Sequence, residues 1–152
     1  MQWVYDDGGR KDAGFSGETS DCVTRSIAIA TGLPYQTVYD KINSLAENER
    51  PRGNKKRSSA RTGVHKCTYK SYLKDLGFEW KPTMLVGHGC KVHLRSGELP
   101  TGTLIVSVSR HLTVVKDGVI YDTHDCSRGG TRCVYGYFFR ENVAPNGSIS
   151  VL

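Results

Sequence analysis

The sequence predicts an α+β domain in which N-terminal helices pack on a C-terminal antiparallel β-sheet. Three observations predict it. Residues 20–76 repeat apolar side chains at helical spacing, whereas residues 103–139 switch to short runs rich in β-branched residues. Between two of those runs lies Asp117-Gly118, the strongest short hairpin signal in the chain. Helices first and strands afterwards is the element order of an α+β layer fold. The 152 residues fit a single domain, 1–152, and 38% apolar content is enough for a core without disulfides.

Residues 1–19 are Gly-rich and read as irregular. A helix starts near Ser20, with Thr19 or Ser20 as N-cap, and runs through DCVTRSIAIAT to Gly32, a natural stop. Val23, Ile27 and Ala30 mark its buried face. Pro34 opens a second helix whose apolar stripe is Val38, Ile42 and Leu45. A third, from about Lys66 to Leu76, carries Tyr69, Tyr72, Leu73 and Leu76 and stops at Gly77. Strands follow at 103–109, 111–115, 119–123 and 133–139.

The net charge of +6 is largely local. Arg50, Arg52, Lys55, Lys56, Arg57 and Arg61 form a run without an acid. Pro51 and Gly53 break any helix there, and no aromatic residue is interleaved for base stacking, so nucleic acid is not the expected partner. The run reads as a solvated loop, with an acidic protein substrate as the functional alternative. No stretch approaches the roughly 18 apolar residues of a membrane span. The polar start MQWVYDDGGRKD does not resemble a secretory signal, so the expected location is the cytoplasm.

Five cysteines at 22, 67, 90, 126 and 133 lack the spacing of a disulfide scaffold and are expected to be mostly reduced. Cys22 falls in the first turn of a helix, where unpaired backbone N–H groups and the helix dipole favour a thiolate. The same N–H groups can receive an oxyanion. Asp21 opposes a thiolate unless it points away or serves the cap.

The hairpin supplies a partner. With Asp117-Gly118 as a two-residue turn, Lys116 faces Val119, Val115 faces Ile120, Thr113 faces Asp122 and His111 faces His124. Opposed residues share a face, so His111 has Asp122 diagonally beside it and His124 across from it. Either can accept an imidazole N–H and fix the tautomer. Leu112, Val114, Val119 and Tyr121 line the other face as core, and Asp125 is expected to pair with Arg110. His88, Cys90 and His93, His65 with Cys67, and Cys126 with Cys133 lack the spacing of a structural zinc site, so no metal or cofactor is expected. The Gly-rich stretch SRGGTR (127–132) reads as a connection between strands, and Trp3 and Trp80 as core anchors.

SDCVTRSIAIATGLPYQTVYD and SRHLTVVKDGVIYDTHD together resemble the papain-like cysteine peptidase superfamily, in particular its small bacterial and phage members. The resemblance covers about a third of the chain. It implies a papain-like fold with Cys22 as nucleophile, His111 as general base and acid, and Asp122 as orienter. The implied reaction is hydrolysis of a peptide or isopeptide bond through an acyl-enzyme. The sequence departs from the family in one respect: FSGETSDC carries no Gln before the cysteine. Ser16, Thr19, Ser20 or backbone N–H groups would have to serve the oxyanion instead. Two other functions fit the residues: a cell-wall endopeptidase with His124 as orienter, and an inactive papain-like binding or inhibitor module.

Overall fold

The chain forms β1 (Trp3–Tyr5), α1 (Cys22–Thr31), α2 (Tyr35–Glu47), α3 (Lys66–Asp75), β2 (Glu79–Pro82), β3 (Thr103–Val108), β4 (His111–Lys116), β5 (Val119–Asp122), β6 (Gly136–Phe139), β7 (Glu141–Val143) and β8 (Ile149–Val151). This computed structural model describes residues 1–17, 19–51, 53–143 and 149–151, with side chains described up to residue 140. Arg52 of the basic run lies outside the described residues.

Three helices precede most of a six-stranded sheet, which makes the protein α+β. The strand order is β1-β5-β4-β3-β6-β2, and β7 pairs with β8 separately. Asp117 and Gly118 take φ of 49° and 80°. Two positive values in succession are the backbone of a type I′ turn, whose twist matches the strands it joins. The anticipated register follows, with Lys116 opposite Val119 and Val115 opposite Ile120.

The sheet is mixed rather than antiparallel, because β1 runs parallel to β5. Residues 1–19 therefore contain a strand that the sequence conceals: three residues have no periodicity to read, and only the exposed edge of β5 makes them extended. Trp3 on this strand is 41% exposed, so it is not a core anchor. β2 was also hidden, being four residues that end in Pro82. Its Trp80 does pack inward, with ring centroid 4.7 Å from that of Phe138.

Two apolar layers flank the sheet. Ile27, Val38, Ile42 and Leu73 from the helices meet Ile105, Leu112, Val114 and Phe138 on one side. On the other, Leu104, Val106, Val115 and Ile120 are covered by Leu94, Cys126 and Val134 from the irregular segments. That second cover is fastened by a Cys90–Cys133 disulfide, which corrects the expectation of singleton thiols at these positions. The two cysteines lie 43 residues apart, and neither has a local pairing signal. Among the described residues, no helix is long and apolar enough to cross a membrane.

Candidate active site

α1 begins at Cys22, and Asp21 occupies the N-cap position in place of Thr19 or Ser20. The Asp21 side chain makes no capping hydrogen bond. The Arg25 N–H is the first to bond back, to the Asp21 carbonyl at 2.9 Å. The N–H groups of Cys22, Val23 and Thr24 thus have no partner within the helix, as in any first turn.

The Asp21 carboxylate is turned elsewhere. It is 2% exposed and accepts hydrogen bonds from Tyr35 Oη (2.7 Å), Thr19 Oγ1 (2.8 Å) and Arg10 Nη1 (3.1 Å). Arg25 Nε stands 3.5 Å away. Two guanidiniums thus neutralise the charge that would otherwise oppose a thiolate next door.

His111 opens β4, and its Nε2 lies 2.7 Å from Asp122 Oδ2 at the end of β5. The side chains are 12% and 3% exposed, so the pair is shielded from water. Burial alone would favour the neutral imidazole. Hydrogen bonds with Asp122, Cys126 and Cys22 more than reverse that and raise the His111 pKa to about 11. Asp122 is likewise pushed up by burial, yet His111 and the Thr123 N–H (2.6 Å) hold it well below the ordinary carboxylate range.

Cys22 stands beside His111, close enough for each to shift the other's titration. Burial pushes its thiol up, but the hydrogen bond and charge of His111, the Leu112 backbone and the Arg25 charge together carry it below its ordinary value. The arrangement shifts the pair towards a thiolate facing an imidazolium. Its placement depends on Ser26, one helical turn beyond Cys22, whose hydroxyl donates to the Leu112 carbonyl at 3.0 Å. That bond holds α1 against the residue after His111.

The structure therefore brings Cys22, His111 and Asp122 together. His124 is also near, with its ring centroid 5.2 Å from that of His111, but it is 57% exposed and its Nδ1 stands 3.8 Å from Asp122 Oδ1. It does not take the Nε2 bond. The anticipated Arg110–Asp125 pair is not formed; Asp125 Oδ1 instead accepts from Ser127 Oγ at 2.7 Å and from its N–H at 3.0 Å. β5 ends at Asp122 and the chain bends at 123–124, so Asp125 is no longer on the strand that the pairing assumed.

Two neighbours escaped the sequence reading. Arg25 is buried and links both carboxylates: its Nη2 lies 3.6 Å from Asp122 Oδ1, and its Nη1 donates to Thr123 Oγ1 at 2.9 Å. Its position one helical turn after Asp21 was a signal, but Asp122 is remote in sequence. Cys126 places its sulfur with ring and carboxylate atoms of His111 and Asp122, all within 4.8 Å of one another. The period-two spacing 122–124–126 was a clue to that. These three side chains offer metal-type ligands. A nitrogen and an oxygen bound to one tetrahedral ion stand about 3.3 Å apart by ordinary bond lengths. His111 Nε2 and Asp122 Oδ2, at 2.7 Å, stand at hydrogen-bond distance.

Cys22 and His111 line two adjoining cavities. One, of about 460 Å³, is polar and bordered by Arg10, Asp21, Arg110 and His124. The other, of about 480 Å³, is bordered by Val64, Tyr69, Val108 and Tyr135. No protein-family model matches the chain, and neither the curated proteins nor the solved structures contain a match to it.

Proposed function

We propose that this protein is a papain-like cysteine hydrolase that cleaves a peptide or isopeptide bond. The observation that carries the reading is the chain of contacts from Cys22 to His111 to Asp122, with the thiol at a helix start and the imidazole held in its charged form. A nucleophile beside a base that is itself held by an orienter is the arrangement that acyl transfer requires.

In the proposed reaction the Cys22 sulfur adds to the carbonyl carbon, and the carbonyl π electrons move to oxygen. The oxyanion is received by the uncapped N–H groups at the start of α1. Ser20 supports this assignment, since it lines both cavities and its hydroxyl makes no hydrogen bond among the described residues. Collapse of the intermediate breaks the carbon–nitrogen bond, and the departing amine takes a proton from His111. Neutral His111 then deprotonates a water that adds to the thioester, and Cys22 leaves as thiolate. With Nε2 bonded to Asp122, Nδ1 is the ring nitrogen available for these transfers.

A cytoplasmic site of action belongs to the same proposal. Thiols are kept reduced there, so the protein with Cys90 and Cys133 reduced is a form to assay alongside the disulfide form. Asp122 serves as orienter in this reading, and the cell-wall endopeptidase alternative with His124 in that role has less support from the geometry.

The test is the pH profile of Cys22 alkylation by iodoacetamide, in wild type and His111→Ala. Rapid labelling well below pH 8 that disappears in the variant is the expected result. An ordinary thiol profile, unchanged by the substitution, would overturn the proposal and favour a binding module.

A further inference from the structure

Both halves of the cleft carry more cations than acids among the described residues, Lys66 and Arg110 lining the second, and one residue sits on both halves. Arg110 lines the polar cavity and the apolar one alike, directly before His111. It is exposed and adopts φ of 56° in the turn between β3 and β4. Glycine and asparagine take that left-handed conformation most readily, so an arginine there is held against local preference.

The other arginines of the polar cavity are committed. Arg10 binds Asp21 and Thr19, and Arg25 binds Asp21, Asp122 and Thr123. Arg110 makes no ion pair or hydrogen bond among the described residues. Among the described residues, the polar half of the cleft thus has three guanidiniums on its wall and one carboxylate, Asp21, which is already shared between two of them. A planar cation with all its donors open, beside the reacting thiol, is suited to a carboxylate.

Building on the hydrolase reading, we propose that Arg110 binds a carboxylate of the substrate. The substrate is then a peptide or isopeptide with an acidic group close to the scissile carbonyl on the polar side and an apolar side chain in the cavity of Val64, Tyr69, Val108 and Tyr135. This moves recognition of an acidic substrate from the basic run at Arg50–Arg57 into the cleft itself.

The experiment compares Cys22 alkylation by iodoacetate and by iodoacetamide, which differ in charge and little in size. The readout is the ratio of the two rates, so any general change in thiol nucleophilicity cancels. In wild type the anion is expected to be favoured. The ratio should fall about three- to tenfold in Arg110→Gln, fall further in Arg110→Glu, and shrink with added salt, as expected for a charge a few ångströms from the reagent. Arg110→Gly removes the charge while relaxing the backbone, and it should show the same loss with an unaltered or raised Tm. A ratio indifferent to all three substitutions would overturn the proposal. Slow labelling by both reagents in wild type would instead count against the hydrolase reading itself. Bromoacetyl-Glu-amide and bromoacetyl-Leu with a free C-terminus then separate the two carboxylate sources. An Arg110-dependent gain for the first marks an acidic side chain, a gain for the second marks a chain terminus, and no gain for either overturns the inference.

Discussion

Arg25 Nη2 lies 3.6 Å from Asp122 Oδ1, so one buried cation ties the helix that carries Cys22 to the strand that carries its third partner. The same guanidinium reaches Asp21. Removing it leaves two carboxylates buried with less compensation. Arg25→Met is expected to cost about 3 kcal/mol in denaturant unfolding, the usual scale for breaking a buried pair. The variant's Cys22 alkylation profile should also move to higher pH, since Arg25 helps hold the thiol down.

Asp122 and His124 compete for the role of orienter, and their contacts separate them. Asp122 meets His111 Nε2 directly, while His124 is mostly exposed. Asp122→Ala should slow Cys22 alkylation at pH 6 by roughly tenfold or more, as when the partner that orients a histidine is lost. His124→Ala should leave the rate within about twofold, the scale expected for a surface contact. Equal losses in both variants would show that the two side chains orient the ring jointly.

The thiol–imidazole pair sets a characteristic pH dependence of stability. His111 is raised from 6.5 to about 11, so its contribution is complete below pH 6.5 and is lost as pH rises through about 11. Cys22 is lowered from 9.0, so its contribution is present above pH 9 and is lost as pH falls through its folded value. Up to pH 9, wherever both groups titrate, the two slopes oppose each other and flatten the profile; above pH 9 only the histidine arm remains and stability falls. In Cys22→Ala only the histidine arm remains, and stability should decline from pH 6.5 upward. Urea midpoints measured from pH 5 to 10 for both proteins check this.

Gly136 lies under Trp80. A Cβ at that position would stand 2.4 Å from the indole ring and 2.7 Å from the Lys81 carbonyl oxygen. Gly136→Ala is therefore expected to destabilise the β2–β6 edge by about 1–3 kcal/mol, the range for overpacking. Trp80→Leu in the same chain should recover only part of the loss, because the clash with the Lys81 backbone persists. Thermal unfolding of the single and double variants provides the comparison.

The Cys90–Cys133 disulfide closes a 43-residue loop. Loop entropy assigns such a cross-link about 4 kcal/mol, so Cys133→Ser should lower the denaturant midpoint markedly. Reduction of wild type should give a similar shift, and the serine variant should not respond to reductant.

Much of the fold was legible because it is encoded locally. Helical spacing marked α1, α2 and α3, and runs of β-branched residues marked β3, β4 and β5. Asp117-Gly118 fixed the hairpin register, because both residues tolerate positive φ. That register alone put His111 and Asp122 on one face, and a cysteine in the first turn of a helix suggested its partner. β1 and β2 were not legible, since each is too short to show a period and is extended only because a neighbouring edge pairs with it.

The sequence by itself determined the order of helices and strands, the hairpin and the face that His111 and Asp122 share, all of which follow from interactions between residues close along the chain. The tertiary structure alone decided that Arg25 neutralises Asp21 and Asp122 together and that Cys126 stands beside His111. It also decided that Cys90 meets Cys133 and that Arg110 has no ion pair among the described residues. Such relationships join distant segments, and the Arg25–Thr123 hydrogen bond beside them spans 98 residues. Packing of the helices and irregular segments against the sheet sets the distances between them, and no local spacing in the chain encodes that.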